Sequence, residues 1–132
     1  MIIDSSAIIA MLRVEPEGAA MIAALAEADK AAISAANYFE AAIVIDSGRN
    51  PVLSSKLDGL LVRFGIEIAP VTESQARIAR QAYRDFGRGS GHPARLNFGD
   101  CFAYALAMER GEALLYKGDD FVHAGLARAV EA

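Results

Sequence analysis

Met1-Ile2-Ile3-Asp4-Ser5-Ser6 opens the chain. Ile2 and Ile3 are β-branched, with no polar residue between them, and read as a short, fully buried strand. Asp4 ends the strand. Ser5-Ser6 can then cap a helix begun by Ala7-Ile8-Ile9-Ala10-Met11-Leu12. A strand that runs straight into a helix puts Asp4 at the carboxyl edge of a parallel sheet, where open α/β folds place their ligands. If further acids converge on that edge, the site suits a hard cation.

The rest of the chain repeats this alternation. Helices are expected over Ser6–Arg13, Ala19–Ala28, Ala36–Ser47, Leu53–Phe64, Glu73–Phe86 and Leu96–Glu109. Short strands are expected over Ala31–Ser34, Ile66–Pro70 and Ala113–Tyr116. Pro16, Gly48-Arg49-Asn50-Pro51, Gly65 and Gly111 punctuate them, and Thr72 caps the helix that follows it. On that helix Ala76, Ile78 or Ala79, Ala82 and Tyr83 turn inward. Gly87–Pro93 reads as a flexible loop, Lys117–Phe121 as a turn, and the tail as weakly helical. Short strands alternating with helices predict an α/β fold, a three-layer α/β/α domain with a short, mostly parallel sheet. No internal repeat or second domain is visible in the 132 residues, so one domain over 1–132 is expected.

Composition removes several function classes. At 54% hydrophobic residues, the chain is too apolar to be disordered. No apolar run reaches the ~18 residues of a membrane helix. No basic region precedes the first apolar residues, so a cytoplasmic location is expected. Cys101 is the only cysteine, which excludes an intrachain disulfide and a cysteine zinc cluster. The net charge of −4 argues weakly against a general nucleic-acid surface. Four acids gathered in one metal site would account for all of it, and bound ions would reverse the local sign.

Four acidic places stand out. Asp4 follows the first strand. Glu40 lies in Tyr38-Phe39-Glu40-Ala41-Ala42-Ile43-Val44-Ile45, a helix apolar nearly all round, where an unpaired buried carboxylate is costly. Its bland alternative is a capping box, since Asn37-x-x-Glu40 fits that pattern. Asp100 follows Asn97-Phe98-Gly99 and opens another apolar helix, where a first-turn acid suits the helix dipole whatever its function. Asp119-Asp120 follows the last strand and, taken alone, is a solvated turn. Two acids after strands and two in first helical turns fall on one edge of a parallel sheet. Such charges repel unless a cation neutralises them. With no His or Cys partner they select Mg²⁺ or Mn²⁺ over zinc. His92 and His123 lack ligand spacing and read as loop and surface residues.

Ile3-Asp4-Ser5-Ser6-Ala7, Tyr38-Phe39-Glu40, Leu96-Asn97-Phe98-Gly99-Asp100-Cys101-Phe102 and Leu114-Leu115-Tyr116-Lys117-Gly118-Asp119-Asp120-Phe121 resemble, in order and spacing, the four acidic motifs of PIN domains. The closer resemblance is to the VapC toxins of type II toxin–antitoxin pairs. It implies a Mg²⁺- or Mn²⁺-dependent endoribonuclease silenced by a cognate antitoxin, as a homodimer or a toxin–antitoxin hetero-oligomer with no membrane partner. Many members carry an acid or Asn where this chain has Gly118. The fourth carboxylate is then Asp119 or Asp120, of which Asp120, directly before Phe121, matches the more regular position.

On this resemblance Asp4 and Asp100 ligate a first ion, and Glu40 binds it through water or orients the attacking water. Asp119 or Asp120 completes a weaker second position. Ser6 and Asn97 support the site or cap their helices. Lys117, Arg88 and Arg95 are candidate phosphate contacts. Two readings from other classes compete. A receiver-like phosphoacceptor domain needs an acid beside Asp4, which is absent, although Lys117 partly fits. A haloacid-dehalogenase-type phosphatase needs an acid where Ser6 stands. A non-catalytic interaction scaffold is the third rival. The helices Ala19–Ala28 and Leu53–Phe64 carry apolar faces that are expected to stay partly uncovered and to mark interfaces.

Overall fold

The computed structural model describes residues 1–130. Four strands, β1 (Ile2–Ile3), β2 (Ala32–Ser34), β3 (Glu67–Ala69) and β4 (Leu114–Leu115), form one sheet in the order β3-β2-β1-β4. Every pairing is parallel, with Ile2 opposite both Ala32 and Leu114. Such short strands hold because neighbouring residues are buried on opposite faces. Ile2, Ala32 and Leu114 pack against α5 (Glu73–Phe86) and α6 (Phe98–Arg110). Ile3, Ile33 and Leu115 pack against α1 (Ser5–Leu12), α2 (Gly18–Glu27), α3 (Ala35–Ser47) and α4 (Pro51–Arg63). This is the expected three-layer α/β/α arrangement, with helices on both faces as a parallel sheet requires. Ile33 is 1% exposed in a central strand, so Ile33→Ala is expected to cost about 2–5 kcal/mol, readable as a lower urea midpoint.

Topology decides where the site sits. The chain builds β1, β2 and β3 outward in one direction, then crosses back to place β4 on the other side of β1. Between β1 and β4 the winding reverses, and the carboxyl ends of the strands on either side of that point leave a crevice.

The structure departs from the sequence reading in several places. α4 starts at Pro51, not Leu53, because Asn50 accepts from the amides of Val52 and Leu53 and Pro51 suits the first helical position. α6 starts at Phe98, since Leu96 pairs instead with Gly87 in an isolated bridge. The Gly87–Pro93 loop is tied down. The Ser90 hydroxyl donates to Gly87 O at 2.6 Å, and His92 stands edge-on to Phe86 at 4.8 Å. The tail is not helical over its described part. Gly125 takes φ 78°, and the backbone then returns to β4, with Leu114 N donating to Ala127 O and Ala129 N to Leu114 O. Ala76 and Tyr83 do not turn inward, whereas Ala79 and Ala82 do.

The apolar faces of α2 and α4 are largely covered. Met21, Leu25 and Leu57 are buried, and Leu53, Leu60, Leu61 and Phe64 pack on the same core. The more exposed aromatic surface lies elsewhere, on α3 and α6, at Phe39 (65% exposed) and Phe98 (79%).

Candidate active site

β1 ends at the crevice, and Asp4 occupies its last extended position as the N-cap of α1. One carboxylate oxygen, Oδ2, accepts from Ser6 N at 3.0 Å. The other, Oδ1, is buried with no hydrogen-bond partner, although the residue is only 3% exposed. Burial pushes this carboxyl up to about 6, against the pull of the Ser6 hydrogen bonds and with help from Glu40.

Glu40 comes from the second turn of α3. Ser5 Oγ donates to its Oε1 at 2.5 Å, and Asn37 Nδ2 reaches the same oxygen at 3.3 Å and Gly99 O at 2.9 Å. Asn37 is fully buried, and it is not a cap: Ser34 is, one residue before the helix begins. The capping-box explanation for Glu40 therefore fails. Gly99 lets the carboxylate lie against α6, because a Cβ there would stand 2.1 Å from Glu40 Oε2.

Asp100 is held by the capping box that its sequence suggests. It receives Asn97 N on Oδ2 at 3.0 Å, while Asn97 Oδ1 receives Asp100 N at 2.9 Å. Burial, with repulsion from Asp4, Asp120 and Glu40, outweighs the Asn97 hydrogen bond and pushes this carboxyl up to about 7. Capping uses only part of its acceptor capacity, so cap and site are compatible.

A cleft of about 230 Å³ gathers these groups. Asp4, Ser5, Ser6, Glu40, Asn97, Asp100, Lys117 and Asp120 all line it. Asp119 does not, and instead lines a separate groove with Glu17, Lys117 and Arg128. Ser6 Oγ accepts from Lys117 N at 3.0 Å, which ties the turn after β4 to the start of α1. The Lys117 ammonium is drawn away to Glu15 (2.7 Å) and Glu17 (3.6 Å). Arg88 lies in another groove, Arg95 is exposed, and neither histidine reaches the cleft. Sequence reading missed Ser5, Asn37 and Gly99, the three residues that fix Glu40. The one available signal was Asn37, a polar residue one turn before Glu40 on the same apolar helix.

The PIN domain family model matches residues 1–126 of the chain. Ribonuclease VapC28 of Mycobacterium tuberculosis is 59% identical over 131 residues, covering 99% of this chain and 98% of that protein. The chain belongs to the PIN-domain VapC ribonucleases. Ribonuclease VapC42 of the same organism is 47% identical, over 93% of this chain and 94% of its own. Two solved structures share this fold at low identity. A toxin–antitoxin complex from Klebsiella pneumoniae matches with TM-score 0.74 and 14% identity, over 99% of this chain and 98% of that one. Mycobacterium tuberculosis VapC20, described as a sarcin-ricin loop cleaving toxin, matches with TM-score 0.74 and 15% identity, over 96% and 95%.

PIN-domain nucleases are generally dependent on a divalent metal, and the residues of this VapC chain fit one. The donors are all oxygens, one buried Asp4 oxygen has no other partner, and Asp100 carries mutual carboxylate repulsion that a cation would relieve. No three His, Cys, Asp or Glu side chains among the described residues are arranged to hold an ion by themselves.

Proposed function

We propose that the chain is a Mg²⁺- or Mn²⁺-dependent endoribonuclease, the toxin of a type II toxin–antitoxin pair acting in the cytoplasm. The observation that carries this reading is the set of Asp4, Glu40, Asp100 and Asp120 around one cleft at the switch point of a parallel sheet, in a chain 59% identical to VapC28. A bound divalent ion lowers the pKa of coordinated water and stabilises charge on the attacking and leaving oxygens.

Asp4 and Asp100 would be the direct ligands, because each accepts a backbone hydrogen bond at a helix N-terminus and keeps acceptor capacity. Glu40, clamped by Ser5 and Asn37, has one oxygen taken and one left to hold or orient water. Asp120 supplies the fourth carboxylate. Ser6 and Asn97 hold Asp4 and Asp100 in place, and Ser6 also carries the Lys117 backbone. Lys117 meets phosphate only by leaving Glu15. The VapC relatives support an antitoxin partner, and a homodimer is proposed with it. A phosphoacceptor reading finds no support: Asp4 is buried, caps α1 and has no acidic neighbour in sequence.

The fourth-acid assignment gives a direct test. In Mg²⁺-supported cleavage of an RNA pool, Asp120→Asn is expected to lose about tenfold or more, the effect of weakening a metal-binding carboxylate. Asp119→Asn is expected to stay near parental. A larger loss at Asp119 would reverse the assignment. A parental protein that cleaves no RNA with either metal would remove the ribonuclease reading.

A further inference from the structure

Beside the carboxylate cleft runs a second, larger groove of about 490 Å³ between α5 and α6. The two meet at Asn97, which lines both. Its floor is apolar, and two aromatic rings stand at its surface: Tyr83, 48% exposed, and Phe98, 79% exposed. Both rings are held. Tyr83 donates its hydroxyl to Arg88 O at 3.3 Å and lies so close to Gly87 that a Cβ there would sit 2.6 Å from the ring. Phe98 stands edge-on to Phe102 at 4.9 Å.

Charge is distributed unevenly along this groove. Arg77, Arg80, Arg84 and Arg88 recur at three- and four-residue intervals along and just beyond α5, with Arg80 and Arg88 in the groove itself. Arg77 pairs with Glu73, whereas Arg80, Arg84 and Arg88 take part in no ion pair or hydrogen bond through their side chains among the described residues. Two unpaired guanidiniums, Arg80 and Arg88, thus line one flank, and Arg84 lines the adjoining groove with Arg80, on a chain whose net charge is −4. Such a row calls for a polyanion. Fixed aromatic faces beside it suit unpaired bases, which can stack on them as the bases of a duplex cannot.

We propose that this groove is the path along which a single-stranded flank of the RNA substrate reaches the carboxylate cleft. Arg80, Arg84 and Arg88 hold phosphates, and Tyr83 and Phe98 stack bases. The assignment rests on the ribonuclease reading and adds to it the surface of this chain that holds the substrate. Asn97 joins the groove to the cleft that holds Asp100, and no acid is among the residues lining the groove.

The test is fluorescence anisotropy of a short, unstructured, labelled RNA oligonucleotide, titrated with the full chain carrying Asp100→Asn in Mg²⁺ so that cleavage does not intervene. Replacing Arg80, Arg84 and Arg88 together by Ala is expected to weaken binding about tenfold or more and to flatten the slope of log K against log salt by about 2, roughly 0.7 for each single-strand phosphate lost. Tyr83→Ala and Phe98→Ala are each expected to weaken it by at least about fivefold, with little change in salt slope. Lys56→Ala, on α4, is expected to bind as the parent does. An unchanged affinity and slope in the triple variant would overturn the proposal, as would a duplex RNA that binds equally well with the same losses. Variants that keep RNA binding and lose the antitoxin instead would assign the groove to protein. If the chain without Asp100→Asn cleaves RNA and the groove variants in that background keep its KM, the path is wrong and the ribonuclease reading stands. If that chain cleaves nothing, the reading itself falls.

Discussion

Asp4→Asn and Asp100→Asn are each expected to abolish RNA cleavage while making the metal-free protein harder to unfold. The loss of activity should reach about a thousandfold or more, because several kcal/mol of charge stabilisation depend on the carboxylates that would hold the ion. The gain in stability follows from the same burial. Both acids titrate well above the ordinary carboxylate range, Asp4 at about 6 and Asp100 at about 7. A folded-state value above the unfolded one means that the folded protein binds more protons between about pH 4 and pH 7. Stability therefore falls as pH rises through that window. For Asp4 the shift from 3.8 to about 6 corresponds to about 3 kcal/mol at neutral pH. Asn removes the charge and keeps the acceptor for Ser6 N, or for Asn97 N at position 100, so both helix caps survive. Thermal melts in EDTA at pH 7.5 should show each variant several degrees above the parent, and the gap should narrow at pH 5. Variants that melt below the parent at pH 7.5 would show that burial of these carboxylates is not costly.

Gly99→Ala is expected to cost about a hundredfold in cleavage with little loss of stability. The new Cβ would meet the Glu40 carboxylate, 2.1 Å from Oε2 and 2.8 Å from Cδ. Glu40 is a flexible side chain and can swing clear, so the fold survives. Ala also suits the first turn of a helix better than Gly, by about 0.5–1 kcal/mol. The catalytic arrangement does not survive, because the carboxylate leaves Ser5 and Asn37, and a displacement near 1 Å can cost about a hundredfold. A double-mutant cycle separates this from general damage. In a Glu40→Ala background, Gly99→Ala should cost little more, since the group it displaces is gone. Full additivity of the two losses would show that Gly99 acts through something other than Glu40.

How much of this was legible in sequence differs from element to element. β1 could be read because Ile2-Ile3 and Asp4-Ser5-Ser6 carry strand, edge and cap within a few residues. The same Asn-x-x-acid pattern occurs at Asn37–Glu40 and Asn97–Asp100, yet it means different things. At Asn97 a loop precedes the helix, and the box forms. At Asn37 strand β2 passes into α3 without a loop, so Asn37 is already inside the helix and its amide is spent on Glu40 and Gly99. The clamp on Glu40 joins α1, α3 and α6, and no local pattern encodes a contact between three elements. Helical period alone turns Tyr83 inward, but packing between α5 and α6 leaves its ring at a groove. The tail lost its helix to Gly125 and to pairing with β4, a tertiary contact that weak propensity does not reveal.

Asp4, Glu40, Asp100 and Asp120 are proposed to form a metal-dependent RNA-cleaving site. Its most direct measurement is cleavage of total RNA by the purified protein in Mg²⁺ or Mn²⁺, against excess EDTA and against Asp100→Asn in the same metal. Cleavage is expected in the metal lanes of the parent alone. Cleavage that persists in EDTA and in Asp100→Asn alike would contradict it.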